Sequence, residues 1–265
     1  MVDNAKMDIF KLRRRQMMIV GLVIAALTIL STAVTQYDPI QGMLSIPKAL
    51  YWMITNFYPN KASLIRLPNI LSKLHETVFL SIAATSTAGV LAFFFGLLGS
   101  KTTKIDNVLS TVSRLIASIF RNIPDVVWAM IFLFSFGQNA LTGYFALFFV
   151  TFGFLTRAFI ETIDEASQSA VEALQATGAS YFQIVFQAVI PSSITQFISW
   201  ILYMIETNIR SATLIGILTG TGIGHIFTLY YRSLNYNTAS LVVLMIVITV
   251  FAIEFVSNYV RRAIL

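Results

Sequence analysis

Residues 161–191 read ETIDEASQSAVEALQATGASYFQIVFQAVIP. The segment carries four acids (Glu161, Asp164, Glu165 and Glu172) and no basic residue, and long apolar runs lie on either side of it. It is too polar to span a bilayer, where an unpaired charge costs several kcal/mol. Its local chemistry predicts two short helices around a tight turn. Ala-rich sequence up to Thr177 favours helix, and Gly178 can take the left-handed conformation that ends one. Ser180 with Gln183 forms a capping box that opens the next. Pro191 is expected to stop that second helix, with Ser192 or Ser193 capping the span that follows.

The flanking runs set the class. Of 265 residues, 57% are hydrophobic and 11% charged, and the mean hydropathy is +0.77. A soluble domain averages roughly 45–50% apolar and about 25% charged, so a soluble enzyme is excluded. At ~20 residues per spanning helix, half the chain makes about six, and no second, catalytic domain is left over. The net charge is +6, but the basic residues are scattered among apolar runs, which reads as orientation in a lipid bilayer rather than nucleic-acid binding. Without Cys and with two isolated His, His75 and His225, disulfide, thiol and zinc chemistry have no residues to work with.

Six spans follow, which makes an all-α polytopic membrane protein. Lys11, Arg13, Arg14 and Arg15 precede an uncharged run, Gln16 to Tyr37, whose 22 residues exceed the apolar core of a signal peptide and predict a first helix over Met17–Val34. Residues 36–76 are broken by Pro39, Pro47, Pro59 and Pro68, and Leu50–Tyr58 is expected at the outer interface. The second helix is expected over Thr77–Ser100, ahead of Lys101 and Lys104. The third is amphipathic over Ile105–Arg121, bends at Pro124 and ends near Phe136, where Gly137-Gln138-Asn139 makes a turn. The fourth covers Thr142–Phe159, the fifth Ser193–Leu218 and the sixth Thr238–Tyr259, ahead of Arg261 and Arg262. Placing the basic residues inside puts both termini and the 161–191 segment in the cytoplasm. The division expected is residues 1–76, a first helix and outer loop, and residues 77–265, the main transmembrane domain.

Glu172, Ala173, Gly178 and Pro191 stand at the spacing of the Glu-Ala-Ala…Gly…Leu-Pro signature, and in this the chain resembles the permease subunits of bacterial ABC importers. Leu174, Ala188 and Ile190 depart from the signature's usual Ala, Ile and Leu. Arg121-Asn122-Ile123-Pro124-Asp125-Val126-Val127-Trp128-Ala129 is similar to a stretch of the phosphonate importer permeases, as are Val171–Ser180 and Asn208-x-Arg210-Ser211-Ala212-Thr213 with Gly216-Ile217. The resemblance covers residues from about Pro68 onward. It implies a type I ABC importer permease fold, a homodimer in the bacterial inner membrane, a separate ATPase dimer that binds ATP and Mg, and an extracytoplasmic binding protein. The chain itself then holds no cofactor and makes or breaks no bond. Glu172, Ala173, Leu174, Gly178, Ala179 and Ser180 become the coupling contact with the ATPase.

Two pairs of charges stand four residues apart, Arg121 with Asp125 and Glu206 with Arg210. That spacing lets each pair neutralise itself on a helix, either to hold helices together or to line a path for an anion. Counted from Ser193 at about 1.5 Å per residue, Arg210 lies ~25 Å along the fifth helix, in the outer half of the bilayer. Asn208, Ser211 and Thr213 would add a wet, polar wall. GLLGSKTT, residues 96–103, lacks the Gly before Lys of a phosphate-binding loop. Thr219–Gly224 reads as either a flexible outer turn or a close-packed segment beside the path. Two alternatives stand: an importer of methionine or another small solute, and a membrane sensor or scaffold without an ATPase partner.

Overall fold

The structure is a computed structural model that describes the backbone of residues 2–166 and 168–264; the side chains of residues 2–11, Lys11 among them, lie outside the described residues. All regular structure among the described residues is helical. The chain forms two compact units, one holding α1 (Val2–Thr35) and α2 (Pro39–Asn56), the other everything from Phe57 on. In the first unit, Leu12–Thr35 is long and apolar enough to cross a membrane. Residues 50–56 belong to α2, which accommodates Pro47 in its interior.

The second unit runs α3 (Lys61–Leu64), α4 (Leu67–Gly99), α5 (Asn107–Asn122), α6 (Asp125–Phe136), α7 (Ala140–Ala166), α8 (Gln168–Ala176), α9 (Tyr181–Ile184), a π-turn (Val185–Val189), α10 (Ile190–Thr219), α11 (Gly222–Arg232) and α12 (Tyr236–Ile264). Counting the bent pair α5–α6 as one span, up to six helices can cross a membrane. α4 begins ten residues before the expected Thr77, because Pro68 suits a helix's first turn and Ile70 and Leu74 bury against Ile223, Ile226, Leu241 and Val242.

Helices in lipid approach through small side chains, since lipid tails are as apolar as leucine. α4 buries Ser81, Ala84, Thr85, Ala88, Gly89, Ala92, Gly96 and Gly99 at three- and four-residue steps, one continuous stripe. Along it lie Leu155 and Phe159 of α7 and Ile201 of α10. At Gly153 of α7 the α5–α6 junction comes so near that an added Cβ would lie 2.5 Å from the Arg121 amide nitrogen. The junction bends by 89° at Ile123-Pro124, as the proline requires. α5 faces inward with Ser110, Ser113 and Ala117 and leaves Val108, Val112, Leu115 and Ile119 exposed. Its polar side satisfies the open carbonyls at the end of α4: Ser110 Oγ donates to Gly99 O at 3.0 Å, Ser113 Oγ to Phe95 O at 2.6 Å and Arg114 Nε to Gly99 O at 2.6 Å.

Two expectations about boundaries give way, and one of the two readings of Thr219–Gly224 falls. Pro191 does not stop the helix: Tyr181–Thr219 runs 39 residues as one span. The proline has no N–H and its ring would strike the carbonyl four residues back. The π-turn just before it carries the ladder past that point, with the Ile190 N–H bonded to Val185 O. Ser192 consequently caps nothing and donates to Ala188 O at 2.7 Å within the helix, and Ser193 is fully buried. The Thr219–Gly224 segment is not a flexible turn: Gly222 and Gly224 are buried and open α11. Glu76 Oε1 accepts the Gly222 N–H at 3.3 Å and Thr77 Oγ1 the Ile223 N–H at 2.9 Å. Side chains of α4 thus meet the unpaired amides of α11's first turn.

Candidate functional site

The 161–191 segment forms an elbow at one end of the second unit. α8 ends at Gly178, whose φ of +78° suits glycine. The Gly178 N–H bonds to Gln175 O at 3.0 Å and the Ala179 N–H to Leu174 O at 3.1 Å, the two bonds of a Schellman ending. Gln183 Oε1 then accepts the Ser180 N–H at 2.7 Å, so the capping-box expectation holds. Val171, Ile184, Val185, Ala188 and Val189 are buried in one cluster, with Leu174 and Ala179 packed against it. Glu172, Ala173, Gly178 and Ser180 face outward. Among the described residues, the Glu172 carboxylate is engaged along its own helix, by Gln168 Nε2 at 3.0 Å. All six expected coupling residues therefore belong to this elbow, four at its surface and two anchoring it.

Beside the elbow, Asp164 gathers the ends of three helices. Its Oδ1 accepts Ser100 Oγ at 2.5 Å, Lys101 N at 2.7 Å, and Thr102 N and Oγ1 at 3.2 Å each. Arg114 Nη2 lies 3.4 Å from Oδ2. Asp164, Lys101, Lys104, Glu172 and Gln175 line a groove of about 570 Å³. Nothing in the local spacing of the sequence marked Asp164, because its partners lie 50 to 64 residues away.

The residues expected along a pathway separate into different surroundings. Arg210 Nη1 donates to Glu206 Oε1 at 2.9 Å, so the helical pair forms. Arg121 and Asp125 do not pair. The break at Pro124 destroys the helical register that would have brought them together, leaving Arg121 exposed at the end of α5 while Asp125 accepts its neighbour's Val126 N–H. Asn208 is 3% exposed and faces the bundle interior. Its Nδ2 donates to Thr85 Oγ1 at 2.8 Å and Thr151 Oγ1 at 2.7 Å, tying α10 to α4 and α7. Thr213 bonds back to Ile209 O at 3.3 Å, and Ser211 is half-buried. Sequence spacing also missed Arg261, whose Nη2 lies 3.8 Å from Glu206 Oε2. A second polar groove, about 450 Å³, opens between α7 and α10 beside Glu161, Glu165, Gln196 and Trp200.

The elbow stands ahead of the last long helices, in a chain of which up to six helices can cross a membrane. A family described as "Binding-protein-dependent transport system inner membrane component" matches residues 88–265. The chain belongs to this family. As a member of the binding-protein-dependent inner membrane components, it is a multi-pass inner-membrane transport permease. It is 28% identical over its whole length to the putative phosphite transport system permease protein HtxC of Stutzerimonas stutzeri, covering 92% of that protein. It is 27% identical over 70% of its length to the phosphate-import permease protein PhnE of Mycolicibacterium smegmatis, where the match spans only 35% of the relative. A 117-residue match, 31% identical, covers 44% of the chain and 96% of the putative cryptic phosphonate transport system permease protein PhnE2 of Escherichia coli. Among solved structures, the MetNI methionine ABC transporter in an inward-facing conformation matches with a TM-score of 0.61 at 22% identity, over 74% of this chain and 98% of that one. An amino acid ABC transporter crystallised with histidines matches with a TM-score of 0.65 at 14% identity, over 77% and 98%. Both likenesses establish the type I ABC importer permease fold.

Proposed function

We propose that this chain is the membrane-spanning subunit of an ATP-driven importer for phosphonates or related phosphorus oxyanions. The observation that carries the reading is the outward-facing elbow of α8 and α9, anchored by Val171 and Ile184 and presenting Glu172 and Gly178, in a chain whose relatives are named a phosphate-import permease and a putative phosphite transport permease. On this reading the elbow is cytoplasmic, as are both termini, and sits in a groove on an ATPase subunit that holds ATP and Mg. Closure of the ATPase dimer moves α8, the buried cluster behind it and then α7 and α10. An extracytoplasmic binding protein delivers the anion from outside, and two copies of this chain enclose the path. Arg210 and Glu206 are its charged lining; Arg121, Ser211 and Thr213 extend it, while Asn208 holds the wall from behind. The chemistry of ATP hydrolysis belongs to the partner chain.

The likeness to a methionine transporter is one of fold, so substrate class is the decisive test. Proteoliposomes holding this chain with its ATPase and binding protein are expected to take up phosphite, phosphate or methylphosphonate in an ATP-dependent way, and methionine not at all. Methionine uptake without oxyanion uptake overturns the substrate assignment. ATP-independent behaviour towards every solute supports the sensor or scaffold alternative instead.

A further inference from the structure

Glu206 stands between two guanidinium groups on different helices. Its Oε1 accepts Arg210 Nη1 at 2.9 Å, one turn along α10, and its Oε2 lies 3.8 Å from Arg261 Nη2 in the last turn of α12. The three side chains differ in access: Arg210 is 48% exposed, Arg261 27% and Glu206 13%. Arg261 is not saturated. Its Nη1 meets Asn258 Oδ1 at 3.3 Å, but Nε and Nη2 are buried and make no hydrogen bond among the described residues. A guanidinium carries five N–H donors, and a buried donor left unmet destabilises the state that contains it. The carboxylate is already within ion-pair distance of those donors. It needs only to close 3.8 Å to the about 2.8 Å of a charge-assisted bond.

We propose that Glu206 is an exchangeable partner: it holds Arg210 while the path is empty and turns to Arg261 when a phosphorus oxyanion takes the donors of Arg210. The inference rests on the oxyanion-import reading and gives Arg261 a positioning role. Arg261 touches no substrate; it receives the displaced carboxylate. Without such a receiver, an anion at Arg210 would face Glu206 across a few ångströms in a medium of low dielectric, where like charges repel strongly. With it, the carboxylate stays paired and moves away from the anion. The return of Glu206 to Arg210 then competes the anion off, so that a site attractive enough to load is not a trap. Two guanidinium groups and one carboxylate leave one net positive charge in either arrangement, so the exchange changes where the charge is offered rather than how much there is.

The test uses proteoliposomes with the complete importer and measures initial uptake rates of phosphite, phosphate and methylphosphonate. Arg261→Gln leaves Glu206 committed to Arg210 and is expected to raise KM about fivefold or more, the lower end of usual couplings between sites, with less change in kcat. Adding Glu206→Gln to Arg261→Gln is expected to bring KM back to or below the wild-type value. Arg261→Lys is expected to be intermediate, since the charge remains without the planar fork. Glu206→Gln alone is expected to lower KM and kcat together, because the anion binds and is not displaced. A purely structural role for Arg261 predicts instead that the double variant is no better than the single one, and that outcome overturns the exchange. If Arg261→Gln fails to assemble, Glu206→Gln decides alone, and an unchanged KM overturns the proposal. Oxyanion uptake with an unaltered KM in Arg261→Gln removes the exchange and leaves the import reading standing. Absence of uptake of all three anions by the wild type removes both.

Discussion

Asp164, near the end of α7, accepts the hydroxyl of Ser100, just past the end of α4, at 2.5 Å. The contact joins the two helices that share the small-residue stripe, at the end where the chain turns into the elbow. Arg114 brings α5 to the same carboxylate. One side chain therefore ties the ends of α4, α5 and α7 together beside the elbow.

Asp164→Ala leaves the Lys101 amide and the Ser100 hydroxyl without their acceptor, while the Thr102 amide keeps Ser100 Oγ at 3.1 Å. The cost expected is about 1–3 kcal/mol, the usual penalty for an unmet polar group, and Asp164→Asn should lose less because one carbonyl oxygen remains. Thermal unfolding of the detergent-solubilised protein measures it. An unchanged midpoint in Asp164→Ala would show that the carboxylate ties nothing together.

Asn208 is expected to matter for stability and not for substrate choice, because its amide is spent on Thr85 and Thr151 inside the bundle. Asn208→Leu should cost about 1 kcal/mol, in line with interhelical hydrogen bonds in membranes, with the relative rates for phosphite, phosphate and methylphosphonate unchanged. A change of preference among these anions would place the side chain in the path after all.

If two copies enclose the path, the exposed face of α10 lies near the two-fold axis. The sequence has no cysteine, so Tyr203→Cys and Leu214→Cys, 41% and 59% exposed in the wild type, give clean reporters. Each should form a covalent dimer with a short crosslinker in native membranes. Crosslinking from positions on α1 but from none on Trp200–Leu218 would contradict the arrangement.

What the sequence displayed and what it hid divide by range. The elbow was legible because a Schellman turn at Gly178 and a Ser180/Gln183 cap are decided by neighbours a few residues apart. The bend before α6 was legible because Pro124 acts on the residue next to it. The passage of the helix through Pro191 was not, since a local stop signal is offset by a π-turn whose side chains are buried in a tertiary cluster. α11 was hidden by its glycines and is capped from α4, 146 residues away. Arg121 and Asp125 had the spacing of a pair but not the continuous helix that gives the spacing meaning. Arg261 could not be matched to Glu206 until α12 was seen to return alongside α10.

The coupling claim is tested most directly at Gly178, by ATP hydrolysis and oxyanion uptake measured together in the same proteoliposomes. An added Cβ there would touch nothing within 4 Å, while the φ of +78° is one that side chains resist. Gly178→Val therefore acts through the backbone alone, at about 1–3 kcal/mol for a strained residue, and reshapes the elbow without disturbing the bundle. Gly178→Asn, which tolerates the left-handed region, should behave nearly as the wild type. The result predicted for Gly178→Val is a permease that inserts and assembles, with ATP hydrolysis continuing and uptake of phosphite, phosphate and methylphosphonate lost. Hydrolysis and uptake both at wild-type rates in Gly178→Val would contradict the account.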